Sequence, residues 1–474
     1  MAKDYLKMVR DGEKLSGREQ FSMIFRLSLP TMLAQISSVI MQYIDASMVG
    51  RLGPNDSASI GLVSSSTWLI WGVSAAICTG FTVMIAKKIG ARDEKTARDI
   101  AKTGIFFSLL LGIIVAVLSA AVSGILPALL AGNEDIRKNA SVYFLVFSIS
   151  LPIFQLNTFS IGMIQCSGNM KMSGIAETII CVLDVIYNML LIFPVREYII
   201  AGHTIKVYGA DLGVLGAALG SSLAELTVVI FLLYYLIRKS PVFRIRRDEK
   251  PKLSLSYLRA AIKIALPIAA EQLVTCSAYI AITRIVSPLG TIALAANSFS
   301  ITAESLCYMP GFGISSASST IIGQSIGARR SDLTGKLGRN AVISGVGVMA
   351  ICAVLMYISA PTMLSLLSPD PEIQQLGVKV LRIEAFAEPL YAAAIVSTGV
   401  FRGAGDTIVP TSVNLICMWM IRIPFAAFLS VRLGLEGVWI AMCTELCIRG
   451  LLFIILLSTR FKRKVENNAY IVEV

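Results

Sequence analysis

Apolar runs long enough to cross a lipid bilayer recur along the whole of this sequence. Residues 104–130, for example, contain no charged side chain, and a helix needs about 20 mainly apolar residues to span the hydrocarbon core. Of the 474 residues, 55% are hydrophobic and only 15% are charged, against roughly a quarter charged in soluble domains. Strands of a membrane β-barrel would alternate polar and apolar residues, which these runs do not. The sequence therefore predicts an all-α polytopic membrane protein.

The apolar windows between charged loops predict where the membrane-spanning helices lie. We expect the first helix to act as its own insertion signal, because the first twenty residues lack the apolar core and cleavage site of a signal peptide. Twelve transmembrane helices are predicted, at residues 21–49, 58–86, 97–124, 138–163, 171–196, 210–238, 257–286, 292–322, 334–361, 373–400, 408–432 and 435–459.

The excess of basic residues marks one side of the membrane. The formal net charge is +12, and the basic residues alternate with basic-poor loops, in clusters at 3–18, 87–102, 238–263, 329–339 and 460–464. Basic loops are retained in the cytoplasm during insertion, so this pattern indicates topology rather than nucleic-acid binding. We expect a multi-pass protein of the inner (cytoplasmic) membrane, surrounded by lipids, with both termini in the cytoplasm.

Cysteine and histidine do not indicate a metal or catalytic site. Most of the nine cysteines lie in apolar stretches without CxxC or histidine-paired spacing, which is typical of small core residues. The single histidine, His203, lies in a polar connection, and the sequence has no HExxH pattern. We therefore expect no enzyme activity and no cofactor.

The second half of the sequence repeats the first. Residues 29–30 and 35 match residues 266–267 and 272, and residues 89–92 match residues 326–329, all at a separation of 237 residues. A constant register of this length predicts a six-helix unit that is duplicated once. Because six is even, both copies insert in the same orientation, so we expect a pseudo-two-fold axis along the membrane normal with the substrate path between the halves.

The longest charged connection divides the chain between these copies. We expect an N-terminal six-helix bundle at 1–237, a basic cytoplasmic linker at 238–256, a C-terminal six-helix bundle at 257–459 and a cytoplasmic tail at 460–474. Two such bundles in a membrane usually rock about a shared cavity. This favours a transporter over a channel, a scramblase or a membrane-embedded enzyme.

Four motifs resemble those of the multidrug and toxic compound extrusion (MATE) family and stand in the family's order. They are Leu29-Pro30 followed by Asp45, then residues 48–53 (MVGRLG), 89–92 (IGAR) and 401–407 (FRGAGDT). Together they cover nearly the whole chain. The resemblance implies a twelve-helix, V-shaped exporter with a central cavity, which moves organic, often cationic compounds and is driven by protons or sodium ions.

Acidic residues within the helices distinguish two branches of that family. The DinF-like pattern has an aspartate in helix 1 and another in helix 5, where this chain has Asp45 and Asp184. The NorM-like pattern adds a glutamate in helix 7 and an aspartate in helix 10, where this chain has Thr275 and Tyr391. The resemblance favours the DinF-like branch, although the asparagine expected one turn before Asp184 lies one turn after it, as Asn188.

Asp45 and Asp184 are the first candidates for ion coupling. An ionisable group within a span costs at least about 2.5 kcal/mol at the helix centre, so it should face a cavity or a partner. At 1.5 Å per residue, Asp45 and Asp184 lie about 9 Å and about 18 Å below the outer face, so they could share one cavity. With Asn188 they are predicted to bind substrate and coupling ion, the carboxylates holding sodium if the protein is sodium-coupled.

Two other interpretations of these aspartates stay open. Asp45 could be a hydrated helix end, and Asp184 could form a purely structural hydrogen bond with Asn188 or Tyr187. The coupling hypothesis has a simple physical basis. Removing a carboxyl group from water favours its neutral, protonated form, whereas a nearby cation favours the charged form, so proton and cation exclude each other.

Further candidates lie within predicted helices. Pro30 and Pro267 occupy matching positions, where a proline bends a helix, and are predicted as hinges or as static bends. Charged residues of the second half could equally form structural ion pairs. The second-tier cavity candidates are Gln35, Glu304, Glu388, Tyr391 and Arg422.

We expect a monomeric secondary active exporter of cationic amphiphilic compounds, exchanging them for protons or sodium ions by alternating access. The leading alternative is a lipid-linked saccharide flippase of the same superfamily. Such flippases tend to have an arginine-rich cavity, whereas Arg422 is the chief basic residue in the middle of a predicted span.

Overall fold

The computed structural model describes residues 4–130, 134–200, 203–244 and 253–470, without the side chains of 197–200 and 203–207. The N-terminal half contains helices α1 to α6, which are Gly17–Gly50, Pro54–Gly90, Glu94–Val122, Glu134–Cys166, Met170–Leu191 and Gly213–Arg238. In the C-terminal half, α7 to α9 are Leu255–Val286, Thr291–Gly327 and Ser331–Leu367, and α10 has two parts, Pro371–Glu384 and Glu388–Gly403.

The last helical run divides at Gly434. This glycine has a non-helical backbone (φ 59°, ψ −137°) and separates α11 (408–433) from α12 (435–466). Within the described residues, nine segments are long and apolar enough to cross a membrane, and the last of them, Ile408–Glu466, contains both α11 and α12. Together with α8 and the two-part α10, these segments provide twelve helical passes. The prediction of an all-α polytopic fold is confirmed.

Two predicted helices differ from the structure. The fifth was expected to reach residue 196, but α5 ends at Leu191 and is followed by an antiparallel hairpin of β1 (Pro194–Ile200) and β2 (His203–Ala210). Pro194 cannot donate a helical hydrogen bond, and the β-branched residues after it favour strands. The tenth was expected as one helix over 373–400, but it is interrupted between Glu384 and Glu388.

Local sequence explains where several helices begin. Ser16 and Glu19 form a capping box at the start of α1, in which the Glu19 amide donates to Ser16 Oγ at 3.3 Å and the Ser16 amide donates to Glu19 Oε2 at 3.1 Å. Asp93 accepts from the Thr96 amide at the start of α3. These caps satisfy amides that have no partner within the helix.

The two halves pack backbone against backbone at the ends of α2 and α8, which we call the basic end. A Cβ atom on Gly90 would lie 2.1 Å from the carbonyl oxygen of Gln324, and a Cβ on Gly327 would lie 1.9 Å from that of Lys87. Gly90 matches Gly327 and Lys87 matches Gln324 at the 237-residue separation. The two contacts are therefore equivalent under the internal repeat, and both need a residue without a side chain.

Hydrogen bonds between the halves lie on the side of the basic end. Gln324 Nε2 donates to the Cys166 carbonyl at 2.6 Å and Lys87 Nζ donates to the Ala404 carbonyl at 2.8 Å. The bond farthest from the basic end joins Thr31 Oγ1 to the Gly313 carbonyl at 2.9 Å. Helix α1 packs on α8 and α2 packs on α7. This conformation is thus closed at the basic end.

Both terminal segments reinforce that closure. Leu6 of the short helix Tyr5–Arg10, Phe461 in the last turns of α12 and Tyr470 after that helix belong to one buried cluster with residues of α8 and α9. Lys87 Nζ also donates to the Tyr470 carbonyl at 3.3 Å. Residues 460–470 of the predicted tail therefore pack against the bundle. Residues 245–252 of the predicted linker 238–256 lie outside the described part of the chain.

The closed contact should depend on the absence of a side chain at Gly313. A Cβ there would lie 2.6 Å from the backbone nitrogen of Met32, and a helix backbone cannot move away without separating α1 from α8. We predict that Gly313→Ala destabilises the protein by about 1–3 kcal/mol, measured as thermal unfolding in detergent. Gly347→Ala is the matched control, because nothing lies within 4 Å of that position. Equal melting temperatures for the two variants would contradict this account.

Candidate functional site

Asp45, Asp184 and Asn188 meet between α1 and α5. Asn188 Nδ2 donates to Asp45 Oδ1 at 2.9 Å and to Asp184 Oδ2 at 3.0 Å. Asp184 and Asn188 are one turn apart on α5, so their side chains share a face, and each is only 1% exposed. Asp45 is half-buried. One amide therefore joins two carboxyl groups from different helices, in the cluster that we call the acid pair.

The acid pair has more acceptors than donors. Asp184 Oδ1 and Asn188 Oδ1 accept no hydrogen bond from the described residues, and no arginine or lysine there forms an ion pair with either aspartate. Because both aspartates accept from the same amide, their carboxyl groups lie near each other, and a proton or a cation bound between them would relieve their repulsion. Such a cluster is suited to hold a proton or a cation.

Small residues on the neighbouring helices position the amide. A Cβ on Gly220 of α6 would lie 2.0 Å from Asn188 Oδ1, and a Cβ on Gly174 of α5 would lie 2.6 Å from the Pro30 carbonyl oxygen. Helix α5 is thus packed tightly against both α6 and α1, which restricts the orientation of Asn188. Pro30 and Pro267 lie inside α1 and α7 without interrupting either helix. Their role as hinges stays a prediction.

The second-tier candidates divide between two places. Glu304, Tyr391 and Arg422 line one cavity in the C-terminal half, together with aromatic and polar residues that include Tyr279, Tyr308, Asn297 and Trp439. Glu388 is buried beside the interruption of α10. Gln35 lies half-buried on α1 and is not among the residues that line this cavity.

Arg422 is engaged by a buried carboxylate. Its Nε and NH2 atoms donate to Glu445 Oε2 at 2.9 Å and 2.6 Å, and Arg449 Nε lies 3.0 Å from Glu445 Oε1. Arg422 belongs to a π-helical turn, Cys417–Arg422, a local distortion that often occurs at functional sites. The arrangement corresponds to the structural ion pair that the sequence left open.

The interruption of α10 carries two further acids. Glu384 ends its first part and Glu388 begins its second. Both side chains are fully buried, and none of their carboxylate oxygens has a hydrogen-bond partner among the described residues. Interrupted membrane helices often form binding sites in transporters. The sequence contains Pro389 and no glycine here, so an interruption before Glu388 was not evident from turn residues.

The fold and these sites define a polytopic membrane transporter: two repeated helical halves, closed against each other at one end, hold carboxyl groups and arginines in their interior. The chain belongs to the MatE family, whose model matches residues 30–190 and 267–428, one match in each half. The family consists of membrane transporters, so the expectation that the protein is not an enzyme is confirmed.

Relatives and solved structures agree with this membership. The chain is 24% identical to "Probable multidrug resistance protein NorM" of Thermotoga maritima, over 93% of each chain, and 24% identical to "Uncharacterized transporter YisQ" of Bacillus subtilis, over 90% of this chain and 92% of the relative. The structure of an "outward-facing conformation of a multidrug resistance MATE family transporter of the MOP superfamily" matches 98% of this chain and all of that one, with a TM-score of 0.88 and 20% identity. At this identity the structural likeness concerns the fold.

The DinF-like branch is not confirmed by these relatives. Several of them carry the name NorM, which points to the NorM-like branch. Thr275, where that branch has a glutamate, donates from Oγ1 to the Glu271 carbonyl of its own helix at 2.8 Å. Tyr391, where the branch has an aspartate, faces the C-terminal cavity.

The packing of Gly220 against Asn188 should be measurable as a coupling free energy. We predict that Gly220→Ala destabilises the protein by about 1–3 kcal/mol, because the new methyl group overlaps Asn188 Oδ1. In the double variant Gly220→Ala/Asn188→Ala that overlap disappears, so the loss should be smaller than the sum of the single losses. The free energies of unfolding of the wild type, the two single variants and the double variant are measured by thermal unfolding in detergent. Additive effects would exclude the contact.

Among the carboxylates of the C-terminal half, replacing Glu445 should reduce the stability of the protein most. Glu445→Gln removes the charge that Arg422 and Arg449 share, and breaking a buried ion pair from one side costs about 3–5 kcal/mol. Glu436→Gln is the control, because its partner Lys379 is 64% exposed and exposed pairs contribute about 0–1 kcal/mol. Unfolding measurements should therefore separate the two variants clearly, and similar stabilities would show that the buried arginines do not need Glu445.

Proposed function

We propose that the protein is a secondary active multidrug exporter, which exchanges organic, cationic amphiphilic compounds for protons or sodium ions by alternating access. The observation that carries the proposal is the acid pair, where two carboxyl groups and an amide oxygen have no basic partner among the described residues. The names of the relatives, several of which are probable multidrug resistance proteins, support the substrate class.

Competition at the acid pair supplies the coupling. When the site is shielded from water its neutral, protonated form is favoured, and an arriving cation favours the charged form and expels the proton. Each pH unit is worth about 1.4 kcal/mol and each charge moved across 100 mV about 2.3 kcal/mol. Exchange of one proton for one monovalent cation moves no net charge, so it depends on the pH difference alone.

Sodium is the other coupling ion that the site could accept. Asp45, Asp184 and the free amide oxygen of Asn188 offer oxygen atoms only, which are the ligands that hard cations prefer. Ion competition has the same logic with sodium as with protons, because a bound cation of either kind leaves no room for a second positive charge. Measuring the flux of protons and of sodium therefore identifies the coupling ion.

Topology follows from the position of the basic residues. The described parts of both terminal segments lie at the basic end, and basic loops are retained in the cytoplasm. We infer that the basic end faces the cytoplasm of the inner membrane, so that this conformation is closed towards the cytoplasm. Export then requires a second conformation in which the contacts between the halves at the basic end are broken.

The flippase alternative is disfavoured by the state of Arg422. A diphosphate would need cationic side chains that are free to bind it, but the guanidinium of Arg422 already donates twice to Glu445. The same cavity presents Glu304 and the rings of Tyr279 and Tyr391. A carboxylate surrounded by aromatic rings suits an organic cation better than a phosphate.

Neutralising the acid pair tests the proposal. In proteoliposomes, Asp45→Asn and Asp184→Asn should each reduce flux of protons or sodium evoked by ethidium at least about tenfold, a loss of about 1.4 kcal/mol, because an amide cannot exchange a proton for a cation. Asp135→Asn, at an exposed position in the first turn of α4, is the control. Unchanged coupled flux in both site variants would refute the assignment.

A further inference from the structure

Two carboxyl groups of the N-terminal half lie outside the acid pair. Glu177 precedes Asp184 by seven residues on α5, two turns along the same face and about 10 Å nearer to the basic end. Glu225 projects from α6, the helix that packs along α5. Sequence inspection did not single out either residue. Two carboxyl groups, those of Glu177 and Asp184, therefore lie on one face of α5.

Neither glutamate is neutralised by a basic residue. Among the described residues no ion pair involves Glu177 or Glu225; their neighbours are amides. Gln165 Nε2 donates to Glu177 Oε1 at 3.3 Å, and Asn157 Nδ2 donates to Glu225 Oε2. An uncompensated carboxylate within the membrane is costly, so each group needs a proton or a cation for at least part of its working cycle.

Asn157 provides an independent indication of a missing ligand. The side chain is 3% exposed, and its Oδ1 accepts no hydrogen bond among the described residues. Because its own Nδ2 contacts Glu225, this free oxygen lies beside the carboxylate. Two acceptors next to each other in a buried position leave a place for a proton donor or a cation.

Gln165 connects this region to the contact between the halves. While its Nε2 donates to Glu177, its Oε1 accepts from Ser316 Oγ of α8 at 2.9 Å. The following residue of α4, Cys166, accepts from Gln324 through its carbonyl oxygen. Glu177 is thus two hydrogen bonds away from the C-terminal half, on the side where the halves are closed.

We propose that Glu177 and Glu225 form a second cation-accepting site of the N-terminal half, through which the coupling cation passes between the acid pair and the basic end. The proposal rests on the function proposed above. If the cation is a proton, it leaves an Asp184 carboxyl oxygen, leaving a carboxylate, and is carried by water to a Glu177 or Glu225 oxygen, which becomes neutral. It then passes to water at the basic end, and no electrons are transferred.

The surroundings suit such a transfer. Asp45 on α1 shares the Asn188 amide with Asp184, and Cys181 lies one turn before Asp184 on α5. Asp45 and Cys181 are neutral when protonated, and among the described residues no arginine or lysine forms an ion pair with Asp184, Glu177 or Glu225. A cation bound at Glu177 would also alter the hydrogen bond that Gln165 donates to Glu177, and the same Gln165 side chain accepts the bond from Ser316.

Two modes of transport distinguish a role of Glu177 and Glu225 in passing the cation from a purely structural role. Exchange of ethidium for ethidium across proteoliposomes uses only the substrate-loaded protein, whereas net ethidium transport driven by a pH or sodium gradient also requires the cation to leave the site. We expect Glu177→Gln/Glu225→Gln to keep exchange within about twofold and to reduce gradient-driven transport at least about tenfold. Glu177→Asp, which keeps a carboxyl group, should recover part of the driven transport.

The control is Glu134→Gln, at an exposed position of α4. Driven transport that is unchanged in the double variant would overturn the second site, and equal losses of exchange and driven transport would show a structural role instead. Asp45→Asn and Asp184→Asn are measured in parallel. If they leave driven transport intact, the proposed function fails; if they abolish it while the glutamate variants do not, only the second site fails.

Discussion

A polar group inside this bundle must find a hydrogen bond, a proton or an opposite charge, since lipid offers none of them. Most of the structure follows from this requirement. Backbone groups are satisfied by helices, and side chains are satisfied where helices approach closely enough for an amide or guanidinium to reach a carboxylate. Where the requirement is not met, at Asp184, Glu384 and Glu388, the molecule has places that a mobile proton or cation can occupy.

The two halves meet this requirement in different ways although they derive from one repeat. In the C-terminal half, Arg422 and Arg449 are fixed on Glu445, which gives a charged but permanently occupied network. In the N-terminal half, the acid pair, Glu177 and Glu225 instead accept hydrogen bonds from side-chain amides. The position that matches Asp45 at the repeat separation is Ile282, which lines the C-terminal cavity. Duplication thus supplied a symmetric closing contact, and later substitution made the interiors chemically unequal.

The sequence predicted those features that depend on composition or periodicity. Apolar runs located the helices, the 237-residue register identified Gly90 and Gly327 as equivalent positions, and depth along α1 and α5 suggested that Asp45 and Asp184 could share one cavity. It did not predict the interruption between Glu384 and Glu388, because neither proline nor glycine lies within it. The sequence also did not predict the partners of Arg422 and Gln165, because contacts between distant helices depend on how each helix is rotated about its axis.

The closed contact between the halves influences how large a difference in ligand affinity between the two conformations is needed to drive transport. Gln324, Lys87 and Thr31 each bond across the halves, and each such bond contributes only about 0.5–1.5 kcal/mol because water can replace it. Opening at an end that faces water therefore exchanges one set of hydrogen bonds for another. A ligand must still bind one conformation about 10⁴-fold better to invert a 1:99 population. Binding of a proton or a cation at the buried carboxyl groups can supply a difference in affinity of that size. A carboxylate without a bound proton or cation leaves an uncompensated charge in the membrane when the halves close.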